Sequence, residues 1–300
     1  MPDWPIINNP LAIRISNRIW LIDMDKDMVV GSPISLNNFK ALRGSMAGDA
    51  LALSEGKLYI TNYSDSSETM VGNGIFVLDW KSWGIVHKYD LRAPHYIMSS
   101  PNSLIYVTGA NSSIIVIDPS KEEEVSKMSC GKLGDSRSIY AVGDRVFVTY
   151  SHGICVIDAN TNSVMNQSPY IEEPIYGSSV VSDSKIYLLH FDSLNIVDLS
   201  NWETQDRIVL GGGNLKAITL PENGKVYVAQ CASKSELADL IVVNNVNNNV
   251  TNRVSLGSEC NSISLGKNGK AYITFQSDNK VSIFDLSTEE LTGEINLQDY

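Results

Sequence analysis

Six polar residues recur about forty positions apart, and each directly precedes a short segment of alternating apolar residues. Their types could do chemistry, because aspartate or histidine can act as a general base and arginine or lysine can hold an anion. Aspartate, asparagine and histidine also offer the oxygen and imidazole ligands that a divalent cation can use. The six residues are Asp49, His95, Arg137, Ser178, Lys216 and Asn261.

A second pattern accounts for this spacing. Two or three apolar residues followed by an acid, or once by asparagine, occur seven times along the chain. An all-strand unit of ~40 residues cannot bury its faces alone, so seven such units predict a seven-bladed β-propeller. The phrases end at Asp23, Asp79, Asp118, Asp158, Asp198, Asn244 and Asp285.

One unit shows the expected strands. Residues 185–189 alternate and are rich in β-formers, 194–198 form the next strand, and 206–210 form the outer strand. The predicted fold class is therefore all-β, with four-stranded antiparallel blades around a central channel. A single domain over residues 1–300 is expected, with blades at about 4–36, 47–91, 95–130, 136–170, 176–210, 214–257 and 260–297.

The ends of this fold need separate comment. The innermost strand of the first blade would come from residues 4–7, which contain a proline that weakens a strand. We therefore expect the first and last blades to close the propeller mainly by packing. The six polar residues would then lie at one mouth of the channel, each at the start of an innermost strand.

The strand-end acids have a structural interpretation. An acid before a turn of Ser, Asn, Thr or Lys can accept backbone N–H bonds and set that turn. Asn244 keeps the acceptor and drops the charge, as a turn-setting residue can. Seven copies cannot all be catalytic, so we interpret them as turn formers.

Three phrases carry a family resemblance. Tyr59-Ile60-Thr61-Asn62, Tyr106-Val107-Thr108-Gly109 and Tyr272-Ile273-Thr274 resemble the YVTN β-propeller repeat. The resemblance extends over about residues 11–297. It implies a group that includes surface-layer and cell-surface proteins, lactonase-like enzymes and propeller subunits of redox enzymes.

A lactonase-like hydrolase would use Asp49, His95 and Arg137 as its catalytic candidates. The six-residue set lacks the glutamate of the metal-dependent lactonase pattern, and no Gly-X-Ser-X-Gly motif supplies a serine nucleophile. The other interpretation is a solvated channel mouth, where polar side chains cost little. No cofactor is predicted; a divalent cation in the channel, held by Asp49, His95 and Asn261, is the alternative.

The charge balance bears on partners. Asp and Glu total 34 against 23 Lys and Arg, a net charge of −11, and no basic run is present. Such a protein repels nucleic acid and anionic lipid. No apolar run is long enough to span a membrane. The sequence predicts an extracellular or cell-surface protein whose leader has been removed, with a cytoplasmic location as the alternative.

Four cysteines in 300 residues are too few for a disulfide framework. Cys231 follows the second strand of the sixth unit, and Cys260 precedes the first strand of the seventh. These positions predict one disulfide between adjacent blades, Cys231–Cys260.

These observations favour a non-enzymatic binding or scaffolding propeller whose partner is a protein or a cell-surface component. Its six channel-mouth residues would bind the ligand. The alternatives are the lactonase-like hydrolase and a propeller subunit of a redox complex. The sequence leaves the oligomeric state open.

Overall fold

The computed structural model describes residues 10–15, 18–35, 51–62, 73–79, 82, 84–182, 184–211, 215–219, 223–230, 238–258, 260–266, 268–275 and 279–299. These residues form seven four-stranded antiparallel sheets, with no α-helix among them. Two short 3-10 turns, Ala110–Ser112 and Leu297–Asp299, complete the described secondary structure. The chain is a seven-bladed β-propeller, which confirms the predicted fold class.

The strands are numbered in chain order. Sheet 1 contains β1 (Pro10–Ile15), β2 (Arg18–Asp23), β3 (Met28–Val29) and β4 (Ile34–Ser35). Sheet 2 contains β5 (Leu51–Ser54), β6 (Lys57–Asn62), β7 (Gly74–Asp79) and β8 (Ile85–Tyr89). Sheet 3 contains β9 (Ile97–Ser99), β10 (Ile105–Thr108), β11 (Ser113–Asp118) and β12 (Glu123–Ser129). Sheet 4 contains β13 (Ser136–Val142), β14 (Arg145–Tyr150), β15 (Gly153–Asp158) and β16 (Ser163–Gln167).

Three further sheets complete the propeller. Sheet 5 contains β17 (Ser179–Val181), β18 (Lys185–Leu189), β19 (Ser193–Asp198) and β20 (Thr204–Val209). Sheet 6 contains β21 (Leu215–Thr219), β22 (Lys225–Gln230), β23 (Asp239–Asn244) and β24 (Val250–Ser255). Sheet 7 contains β25 (Cys260–Leu265), β26 (Lys270–Phe275), β27 (Lys280–Asp285) and β28 (Glu290–Asn296).

In sheets 2 to 7 the four strands are adjacent in chain order, and in sheet 1 the path is β1-β2-β3. Residues 4–7, expected to supply an innermost strand, lie outside the described residues. The chain divides into two compact units, residues 1–33 with 175–300 and residues 34–174. The single domain over residues 1–300 stays a prediction.

In the unit of residues 34–174, the third strand of sheet 3 is buried on both faces. Ile115 and Ile117 pack with residues of sheet 2, whereas Ile114 and Val116 pack with residues of sheet 4. Successive side chains of a strand point to opposite faces, so one strand serves both interfaces. This is why the repeated phrase is a continuous apolar run, as strands covered on both faces require.

In the other unit, sheet 7 packs against sheet 1. Tyr272, Val281 and Ile283 share one apolar cluster with Trp20 and Ile22. All five side chains are 5% exposed or less. The first and last blades therefore pack directly on each other. Closure mainly by this packing stays a prediction, because residues 4–7 lie outside the described residues.

Polar bridges repeat between neighbouring sheets. The Lys57 ammonium pairs with Glu122, and the Lys225 ammonium pairs with Glu289. Each acid lies in the turn between the third and fourth strands of the next sheet, with a positive φ of 57° or 58°. The Tyr106 hydroxyl lies 2.6 Å from Asn162 Oδ1 in the corresponding turn of sheet 4. The partner residue of each bridge thus has the same positive-φ conformation in the same turn of its sheet.

The strand-end acids form the turns that the sequence predicted. Asp118 Oδ1 accepts bonds from the Ser120 N–H at 3.0 Å and from its hydroxyl at 2.6 Å. Asn244 Oδ1 accepts the Val246 N–H at 2.9 Å, so the neutral residue works the same way. The Ser120 hydroxyl and Lys121, against a smaller opposing effect of burial, lower the pKa of Asp118 to about 2. This interpretation of the acids is confirmed.

A disulfide joins Cys130 and Cys155, which are 25 residues apart. Cys130 directly follows the outer strand of sheet 3, and Cys155 lies in the third strand of sheet 4; both are fully buried. The spacing of the cysteines in the sequence does not predict this pair. Cys260 is also disulfide-bonded, but Cys231 lies outside the described residues, so Cys231–Cys260 stays a prediction. Among the described residues, no helix has the length and apolarity to cross a membrane.

Candidate functional site

The structure describes the six predicted site residues to different extents. Asp49 lies outside the described residues, and for Lys216 only the backbone is described. His95 and Arg137 belong to the unit of residues 34–174, and Ser178 and Asn261 belong to the other unit. The binding role of the set as a whole stays a prediction.

Three of the six share one backbone feature. Arg137, Lys216 and Asn261 are each the extra residue of a β-bulge at the start of the first strand of a sheet. A bulge leaves one residue unpaired and changes the direction of its side chain. The spacing of polar residues in the sequence therefore marked a real structural position.

Ser178 differs from this pattern by one residue. The N–H groups of Tyr176 and Gly177 both donate to the Leu189 carbonyl at 3.1 Å, so the irregularity falls one position earlier in sheet 5. A Cβ on Gly177 would lie 2.8 Å from Leu189 Cβ, which explains why a glycine occupies the position. Ser178 Oγ instead accepts the Ile218 N–H of the neighbouring sheet at 3.2 Å.

His95 takes part in a hydrogen-bonded group with Ser136 and Thr108, which the sequence pattern does not predict. Its Nδ1 lies 3.0 Å from Ser136 Oγ, and Thr108 Oγ1 donates to the same oxygen at 2.9 Å. Because Thr108 supplies one proton to this oxygen, the Ser136 hydroxyl can donate its own to Nδ1 of a neutral imidazole. The His95 backbone is also fixed, since its N–H donates to the Thr108 carbonyl at 2.8 Å.

The electrostatics favour a neutral His95. Burial of the ring lowers its pKa, nearby Asp135 opposes this shift, and the charge of Arg137 adds to it. The neutral ring keeps one donor and one acceptor nitrogen. Ser136 is only 4% exposed, so its hydroxyl links the sheets and is not open to a substrate.

Arg137 is held from one side. Its Nε donates to Ser151 Oγ at 3.2 Å, and Ser151 Oγ in turn donates to the Asp135 carbonyl at 3.3 Å. Arg137 is partly buried, and no carboxylate in the described part of the chain lies within salt-bridge distance of it. The arrangement can therefore bind an anion through the terminal guanidinium nitrogens.

A metal centre has no support in the described ranges, where no three His, Cys, Asp or Glu side chains come together as ligands. The proposed cation ligands Asp49 and Asn261 include one residue outside those ranges, and Asn261 is exposed. The divalent cation stays a prediction.

The threonines of the second strands are a signal that the sequence analysis missed. Thr149 Oγ1 lies 2.7 Å from Ser138 Oγ, and Thr274 Oγ1 lies 2.8 Å from Ser262 Oγ. Thr108, two residues after Tyr106 as Thr274 is after Tyr272, occupies the same place in sheet 3. A threonine two residues after the aromatic residue of a second strand thus marks a polar contact, to the first strand of its own sheet at Thr149 and Thr274 and to the next sheet at Thr108.

Comparison with known proteins informs the fold. No family model matches the chain, and no curated protein matches it. Chains of solved structures that match number 1400. One is hydrazine synthase of Kuenenia stuttgartiensis, with a TM-score of 0.63, 15% identity, and coverage of 82% of this chain and 80% of that chain. At this identity the likeness concerns the fold alone.

Proposed function

We propose that this chain is a non-enzymatic binding propeller that holds a protein partner or a cell-surface component where the first strands of its blades begin. The observation that carries the proposal is the engagement of Ser136. Its hydroxyl is 4% exposed and is held between Thr108 and His95. A hydroxyl held in this way has a structural role and is not available as a nucleophile. The guanidinium of the adjacent Arg137 is the group that remains available for binding.

Arg137 supports a binding role more directly. Its guanidinium is positioned by Ser151 but paired with no described carboxylate. A partly buried charge without a counterion favours an incoming anion. The net charge of −11 supports a partner other than nucleic acid.

An extracellular or cell-surface location is part of the proposal. The buried disulfide between Cys130 and Cys155 supports it, since disulfides persist mainly in oxidising compartments. The YVTN assignment is proposed on the same terms. It is supported by Tyr59, Tyr106 and Tyr272, which occupy equivalent buried positions in the second strands of three sheets.

A hydrolase is the second candidate, because one observation favours it. The 3.0 Å contact between His95 Nδ1 and Ser136 Oγ has the distance of a serine–base pair. Its weakness is the burial of the serine. The redox-subunit alternative has no such contact to support it, and the likeness to hydrazine synthase concerns the fold alone.

The experiment is site-specific photo-crosslinking in the native source. A photoreactive residue replaces Asp135, which is exposed beside Ser136, or replaces Asp144, which is exposed at the opposite end of the same strand. The proposal predicts one discrete product from position 135, suppressed by excess unmodified protein, and none from position 144. No product, or the same products from both positions, would overturn it.

The crosslinking is paired with an activity measurement on the unmodified protein. Purified chain is incubated with lactones and simple esters, with and without divalent cations. Turnover that Ser136→Ala abolishes would replace the binding proposal with the hydrolase. Equal background rates for both proteins are the expected result.

A further inference from the structure

We infer that Arg137 is a carboxylate-recognition residue, which binds a single carboxylate of the ligand through its two terminal guanidinium nitrogens. The inference rests on the proposed binding function and names the chemistry that this site would recognise. Three features of Arg137 support it: its anchoring through Nε, the groups around it, and the lack of a described carboxylate within salt-bridge distance.

The anchoring fixes which edge of the guanidinium is available. Nε donates to Ser151 Oγ at 3.2 Å, and the Ser151 hydroxyl is itself engaged with the Asp135 carbonyl at 3.3 Å. The edge that contains Nε is therefore occupied. The two terminal nitrogens remain as a pair of parallel donors, and this fork matches the two oxygens of a carboxylate.

The backbone makes Arg137 a defined feature of sheet 4. It is the extra residue of a bulge whose neighbours, Ser136 and Ser138, pair with Tyr150 and Thr149. Both serines are buried and hydrogen-bonded, at 4% and 6% exposure. The side chain between them is thus carried by a rigid segment, which reduces the entropy lost when a ligand binds.

The charges around Arg137 favour a monoanion. Burial lowers the pKa of His95 and so favours its neutral form, which leaves Arg137 as the positively charged residue among the described members of this group. A dianionic phosphate would be only half neutralised there, and the nearby charge of Asp135 would repel it more strongly than a carboxylate. Burial also raises the pKa of Tyr96, and the charge of Arg137 opposes this shift.

Three other partly buried bases are paired, although Lys185 has no such partner among the described residues. Lys57, Lys225 and Lys270 are each paired with a carboxylate of the chain. In a protein with 34 acids and 23 bases, a partly buried arginine that has no carboxylate partner among the described residues can take one from a ligand.

The test is titration calorimetry of the full chain with four probes at constant ionic strength. The probes are acetate, a tripeptide with a free C-terminus, the same tripeptide amidated, and inorganic phosphate. We expect acetate or the free peptide to bind, and the amide and phosphate to bind at least about tenfold more weakly, because a charge-assisted bidentate pair is lost. Acetate alone would indicate a small-molecule acid, and the free peptide alone would indicate a chain terminus.

Variants make the test specific. Arg137→Gln should abolish the binding, and Arg137→Lys should weaken it, since a lysine lacks the bidentate fork. Arg145→Gln is the matched control, because Arg145 is exposed at the far end of the adjoining strand and undergoes the same change of charge. Equal binding by wild type and Arg137→Gln, or no carboxylate binding at all, would overturn the inference. If crosslinking from position 135 persists in that case, the binding function stands and only the ligand chemistry is wrong.

Discussion

The Tyr272 hydroxyl lies 2.6 Å from Asp27 Oδ1, which joins the last sheet of the chain to the first. The same hydroxyl donates toward the Met24 carbonyl at 3.1 Å, and Lys270 pairs with the same aspartate. The bridge repeats the pattern of Tyr106 and Asn162 in the other unit. Here, however, it connects residues that are 245 positions apart.

Tyr272→Phe should therefore destabilise the fold. The change removes a partly buried hydrogen bond to a charged group, and hydrogen bonds to charged groups contribute about 1.5–3 kcal/mol. Tyr59→Phe is the matched control, since Tyr59 occupies the equivalent position in sheet 2 and its buried hydroxyl has no hydrogen-bond partner among the described residues. Urea unfolding should show a loss for Tyr272→Phe and no loss for Tyr59→Phe, because removing a buried hydroxyl without a partner also removes the cost of its desolvation. Equal losses would contradict this account of the bridge.

The disulfide gives a second prediction. Cys130 and Cys155 are 25 positions apart, and closing a loop of that length should stabilise the protein by about 3–4 kcal/mol. The Cys130→Ala/Cys155→Ala double variant should lose this amount in denaturant unfolding without a change of fold by circular dichroism. Thiol alkylation without reductant should leave the masses of the Cys130 and Cys155 peptides unchanged. Alkylation of both peptides in the native protein would show that the bond is absent.

The titration of His95 provides a third prediction. Burial lowers its pKa, so the midpoint measured by NMR should lie below the ordinary value of about 6.5. Arg137→Gln removes a positive charge and should raise the pKa of His95, whereas Asp135→Asn should lower it further. Arg145→Gln should leave it in place. A shift in the reverse direction for either neighbour would contradict the charge arrangement.

The same shift has a consequence for stability. A histidine whose pKa is lower in the folded state contributes stability that is complete above pH 6.5 and is lost as the pH falls toward the folded pKa. His95→Gln should remove that part of the pH dependence. Unfolding curves of both proteins at pH 7 and at pH 5 would measure it.

Gly177 supplies a prediction about the bulge. A Cβ there would meet Leu189 Cβ and the Leu215 carbonyl oxygen at 2.8 Å each. Gly177→Ala should destabilise by about 1–3 kcal/mol through overpacking. Gly84→Ala is the comparison, because its Cβ would meet only Ser82 Oγ at 3.4 Å. A neutral Gly177→Ala would show that the sheets can separate at this point.

The repeat of apolar phrases was sufficient to predict the fold because each phrase is a strand buried on both faces. Ile114 to Ile117 illustrate this, with alternate side chains in two different interfaces. The turn-forming role of Asp118 was equally predictable from the sequence, because its hydrogen-bond partner Ser120 lies only two residues away.

The candidate site was harder to predict from the sequence, because its residues depend on how the first and second strands of each sheet pair. Arg137 and Asn261 both occupy the bulge position. In sheet 5 the bulge falls at Gly177, one residue before the predicted Ser178. Ser136 was missed because its partners Thr108 and His95 belong to the preceding sheet, 28 and 41 residues away. The Cys130–Cys155 bond was missed for the same reason, since packing between two sheets decides it.

The central claim is that the group around His95, Ser136 and Arg137 binds a ligand without covalent chemistry. The most direct measurement is mass spectrometry of the intact chain after incubation with a fluorophosphonate, which labels activated serines. The account predicts an unchanged mass for the wild type and for Ser136→Ala. A wild-type adduct that maps to the Ser136 peptide and disappears in Ser136→Ala would contradict it.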